Sequence, residues 1–67
     1  MTEWDPELVQ QLVQDVLELE INSPDLERNC WRVVHRHAHG MWPSEYDIRE
    51  VPEDLFLTVL AARRSLA

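Results

Sequence analysis

The stretch Cys30-Trp31-Arg32-Val33-Val34-His35-Arg36-His37-Ala38-His39 holds the only cysteine and all three histidines of the chain. These are the side chains that can bind a metal, move a proton or act as a nucleophile. His35 and His39 are four residues apart, so on a helix both rings reach one side and can share an ion. Two ligands are half of a structural zinc site. Cys30 and His37 fall about 140 to 180 degrees around the helix from that pair by the 100-degree step. A continuous helix therefore cannot gather all four groups. No second cysteine exists to complete a site, and Arg28, Arg32 and Arg36 beside the pair repel a cation. The expectation is no metal and no cofactor, with His35 and His39 as weak metal candidates.

His37 falls near the centre of the apolar stripe of the same helix. It is expected to be a core histidine hydrogen-bonded to a carbonyl or an acid, as burial requires. The alternative is a pH switch or a proton-transfer group. Cys30 shares that face, but two helical turns place it about 10 Å away, too far for a thiolate–imidazole pair. It reads as a small buried apolar residue. Ser23, Ser44 and Ser65 read as caps or chain ends. No catalytic constellation emerges, and the expectation is that the chain is not an enzyme.

Arg28, Arg32 and Arg36 recur every four residues and form a basic stripe suited to carboxylates or phosphates. Charge is distributed unevenly around them. Residues 1–27 carry eight acids and no base, residues 28–44 three arginines and no acid, and residues 45–67 five acids and three arginines. Opposite charges of this kind belong to faces that pack together or to a field offered to a partner. A formal net charge of −7 argues against sequence-independent binding to a phosphate backbone. Of three tryptophans, Trp31 flanks the core stripe, whereas Trp4 and Trp42 are the better candidates for a partner surface, where tryptophan is enriched. Trp4 has an intramolecular alternative, a staple onto the first helix. Leu57 lies outside the apolar face of the last helix and is a further contact candidate.

The elements that position these residues follow from periodicity and punctuation. Asp5 can cap a helix over 6–20, with Pro6 in its first position. Leu8, Val9, Leu12, Val13, Val16, Leu17 and Leu19 line its apolar side. Ser23 and Pro24 are expected to open a second helix over 24–39 by the same device. Its stripe is Leu26, Cys30, Val33, Val34, His37, Ala38 and Met41, with Arg28, Arg32, His35, Arg36 and His39 opposite. Gly40 and then Pro43 end it. Residues 44–50 read as a short helix with Tyr46 and Ile48 turned inward, or almost as well as an extended loop. Pro52 is expected to begin a last helix over 52–66, acidic at its start and basic at its end. The fold class is all-α, a small three- or four-helix bundle forming a single domain over 1–67.

A chain of 67 residues is one domain and buries only about 60% of its unfolded surface. The lone cysteine fits a reducing compartment. No signal-peptide pattern and no apolar run near the ~20 residues of a membrane span is present, so a soluble cytoplasmic protein is expected. The leading functional expectation is a non-enzymatic protein–protein interaction module: a small acidic accessory, inhibitor or assembly factor, with a homodimer as one form. Trp4, Arg28, Arg32, Arg36, Trp42 and Leu57 are its candidate contact residues. The runner-up is a helical nucleic-acid-binding regulator using the arginine stripe, and the third reading a metal-binding module using His35 and His39.

Overall fold

Helix α1 spans Pro6–Glu20, α2 Leu26–His39 and α3 Glu53–Arg64 in the computed structural model, which describes residues 4–47 and 49–66. Asp5 starts α1 by accepting the Glu7 amide at 2.9 Å, and Pro6 follows, where a missing N–H costs no helical bond. Asp25, rather than Ser23, caps α2, accepting the Arg28 amide at 3.1 Å. The helix thus begins two residues later than Pro24 suggests, because a carboxylate directly ahead of Leu26 outcompetes the earlier hydroxyl. Ser23 instead offers its carbonyl to the Asn29 side-chain amide at 2.9 Å. Gly40 closes α2 in the left-handed conformation, φ 78°, and donates to the Arg36 carbonyl at 2.8 Å. At α3, Pro52 occupies the cap position and the helix ends at Arg64, so it is shorter than 52–66 at both ends. Glu53 and Asp54 in its first turn and Arg63 and Arg64 in its last complement the helix dipole.

Each helix packs against the other two. Val9, Leu12, Val13 and Val16 of α1 meet Cys30, Val33 and Val34 of α2 and Leu55, Val59 and Leu60 of α3 in one apolar core. Among the described residues there are three helices and no strand. The molecule is flattened, with extents of 30 × 28 × 15 Å, and its core is accordingly thin. Two polar ties close its edges. Arg63 forks onto Glu20 at 2.7 and 2.9 Å, joining α3 to the end of α1. Trp4 packs on the core and donates its indole N–H to Asp54 at 3.1 Å. No helix among the described residues is long and apolar enough to cross a membrane.

The segment between α2 and α3 is a loop, not a helix over 44–50. Its local order is one turn, in which the Asp47 amide donates to the Ser44 carbonyl at 3.1 Å. Tyr46, expected to face inward, is 84% exposed. Ile48, the other residue expected inward, lies outside the described residues. The inward-facing apolar side chains that a helix over 44–50 would need are thus not supplied by Tyr46.

Candidate functional site

The loop folds across the side of α2 that faces away from α1 and α3, and this reverses the expected roles of two histidines. His35, placed by periodicity on the polar side, is fully buried, whereas His37, placed in the apolar stripe, is exposed, as are Ala38 and Met41. The reason is geometric. His35 is about 180 degrees from Leu26 on the helical wheel, so the other helices cannot reach it, but a returning loop can. The stripe itself loses its cover beyond Val34, towards the end of α2. Asn29, also fully buried, is a second polar residue in the interior.

His35 is hydrogen-bonded through one ring nitrogen and faces a carboxylate with the other. Its Nδ1 donates to the Met41 carbonyl at 3.0 Å. Its Nε2 lies 3.0 Å from Asp47 Oδ2, at ion-pair distance but off the line of a good hydrogen bond. Both nitrogens therefore face oxygen atoms. His39 stacks beside it, ring centres 4.6 Å apart, and its Nε2 donates to the Glu50 carbonyl at 2.8 Å. Asp47 is anchored in turn by Arg49, whose side chain reaches both carboxylate oxygens and whose backbone amide donates to Oδ1 at 2.9 Å. Arg49 holds the Asp47 carboxyl well below the usual carboxylate range, through its side chain first and its amide second, with a smaller contribution from His35. The i, i+4 histidine pair thus clamps a loop that has almost no regular structure of its own. As metal ligands the two would have to give up these contacts. Among the described residues, no group of three or more His, Cys, Asp or Glu side chains is arranged to hold an ion.

Cys30 is fully buried, and burial, reinforced by the nearby Glu20 charge, pushes its thiol up to about 11. It is therefore protonated at neutral pH and is no nucleophile there. Among the described residues no hydrogen bond joins a serine hydroxyl or the Cys30 thiol to a histidine ring.

The clamp positions an aromatic and basic surface. Trp42, 42% exposed, receives the guanidinium of Arg32 at 5.9 Å and that of Arg36 at 5.0 Å from its ring centre. One turn earlier Arg28 lies 5.5 Å over Trp31, whose ring also packs on His35. Met41 and Tyr46 extend the exposed apolar surface along the loop. Among the described residues no carboxylate lies within 4.0 Å of Arg28, Arg32 or Arg36, whereas Arg49, Arg63 and Arg64 each have one. The remaining candidates lie elsewhere. Trp4 is half-buried and bonded to Asp54, and Leu57 stands half exposed on α3.

A family model matches residues 7–67, which takes in α1 from its second residue, α2, the clamped loop and α3. The chain belongs to that family, described as Domain of unknown function (DUF8662). No curated protein and no solved structure matches it. In this family member Trp4, the staple on α3, lies ahead of the matched span.

Asp47 escaped the sequence reading. Half of its environment was locally readable: Asp-x-Arg lets an aspartate accept the amide two residues on. The other half, its approach to His35 across twelve positions, has no local signal.

Proposed function

We propose that the chain is a non-enzymatic protein–protein interaction module, a small acidic accessory, inhibitor or assembly factor of the cytoplasm, docking through the α2–loop surface. One observation carries the reading. In a chain with thirteen acids and six basic residues, the three arginines of α2 are the ones with no carboxylate within 4.0 Å among the described residues. Two of them are stacked on an exposed indole instead. Tryptophan and arginine dominate the residues that carry binding energy at protein interfaces. Stacking also restrains long side chains before a partner arrives, which lowers the entropic cost of association. The clamp supports the same reading, since it spends buried polar contacts on holding an irregular, exposed loop.

The test is capture from native lysate under photo-crosslinking, comparing the wild type with Arg32→Glu/Arg36→Glu/Trp42→Ala and with Leu57→Ser. The expected result is a set of partners retained by Leu57→Ser and lost by the triple variant. Identical capture by all three overturns the assigned surface. A salt titration against DNA and RNA addresses the nucleic-acid reading, because phosphate contacts strengthen steeply as salt falls.

A further inference from the structure

The stripe Arg28, Arg32 and Arg36 has a counterpart of opposite sign in the same molecule. On α1, Glu7, Gln11, Asp15 and Glu18 fall within about 80 degrees of one another on the helical wheel. Among the described residues no basic group lies within salt-bridge distance of Glu7, Asp15 or Glu18. The spacing matches as well: Glu7 to Asp15 and Arg28 to Arg36 each cover about 12 Å of helix.

The two stripes meet at one groove through Gln11 and Asp15 of the first and Arg36 of the second. Leu8 and Leu12 form its apolar base, Gln11 and Asp15 stand on the α1 side, and Arg36 and His37 on the α2 side. Asp15 and Arg36 therefore flank the same depression without pairing across it. A groove with an acid on one wall and a base on the other is complementary to itself after a two-fold rotation. Residue i of one copy then meets residue j of the other, and j meets i.

We infer that this groove is the self-association surface of the chain, and that its occupant is a second copy. The two-fold arrangement places Asp15 of each copy against Arg36 of the other and covers Leu8 from both sides. The inference deepens the interaction reading by naming a partner, and it rests on that reading's arginines, which have no carboxylate partner among the described residues. It leaves Trp42 at the rim, where a further protein can dock.

The experiment is sedimentation velocity on untagged protein from micromolar to millimolar concentration, at physiological salt. There a Debye length of about 8 Å screens the net repulsion between copies while leaving contact pairs intact. The wild type is expected to move from a species of 8.0 kDa to one of twice that mass. Arg36→Asp and Asp15→Arg each place like charges opposite one another at both symmetric contacts, and each is expected to weaken dimerisation about tenfold or more. Mixing the two variants in equal amounts restores attraction at both contacts, so dimers reappear at concentrations where neither variant alone forms them. Circular dichroism of each variant shows that the helices persist, and the mixture guards against a folding defect. A wild type that stays monomeric at millimolar concentration overturns the inference. So does a dimer that is indifferent to both substitutions, or a mixture that associates no better than its components. A monomer whose captured partners are still lost in the Arg32→Glu/Arg36→Glu/Trp42→Ala variant would leave the interaction reading standing, so the two failures are distinguishable.

Discussion

Helix α2 is covered on two sides by two kinds of matter. Towards α1 and α3 it presents Cys30, Val33 and Val34 to valines and leucines. On its far side it presents His35 and His39 to a loop, and the contacts are to the carbonyls of Met41 and Glu50 and the carboxylate of Asp47. The first cover is non-directional and scales with apolar area removed from water. The second depends on a few oriented contacts, and those of His35 leave a buried ring without its partner when broken. One helix thus supports a core that specifies the fold and a clamp that specifies the shape of a surface.

Cutting into the core side should have the larger and less local effect. Leu55, fully buried where α3 meets the other helices, is expected to cost about 2–5 kcal/mol on replacement by alanine. For a domain this small that is a large share of total stability, so urea denaturation should show a fall in the midpoint for all helices together. Cutting into the clamp should separate the two regions. His35→Ala removes the partner of the Met41 carbonyl and the contact to Asp47, which keeps Arg49, at an expected cost of about 1–3 kcal/mol. Its signature is local: trypsin should cleave after Arg49 faster than in the wild type at a temperature where circular dichroism is unchanged. Loss of helix in step with cleavage would show that clamp and core are one cooperative unit.

The hinge between the regions gives a smaller effect. Gly40 has open space where a Cβ would stand, so the cost of Gly40→Ala comes from its positive φ alone, about 1 kcal/mol by thermal melting. Acid titration probes the clamp without mutation. Because the Asp47 carboxyl is depressed in the folded protein, its contribution is complete above the ordinary aspartate value near 3.9 and is lost as pH falls through the lower folded value. NMR signals of the loop should therefore stay native as pH drops towards 4 as far as Asp47 is concerned. The stronger-acid transition assigned to it should vanish in Asp47→Asn. The smallest change is expected at Leu57, half exposed on α3, where Leu57→Ser should alter stability by less than about 0.5 kcal/mol.

Much of the architecture follows from neighbours in the chain. The 3.6-residue recurrence of Val9, Leu12, Val13 and Val16, the Asp5–Pro6 start and the Gly40 stop are local features. They act through backbone geometry and side-chain direction within one turn, so they can be read without knowing the fold. The arginine stripe is local in the same sense. Periodicity also identified Cys30, Val33 and Val34, since a stripe facing two other helices is wide and apolar.

It failed where burial came from something other than a helix. A wheel has one inner face, and α2 has two covered faces. His35 is buried because the segment from Met41 to Asp47 folds back over it, and that return depends on where α3 must dock, which no local pattern encodes. His37 is exposed for the related reason that the bundle ends before the stripe does. The same long-range constraint sets Trp42 against Arg32 and Arg36, and brings Trp4 to Asp54 across fifty positions. The sequence alone determined that there are three main helices, their approximate places and their polarity. Only the tertiary structure decided which histidine is clamped, which tryptophan is exposed and which arginines have no carboxylate within reach among the described residues, because those outcomes depend on contacts between segments far apart in the chain.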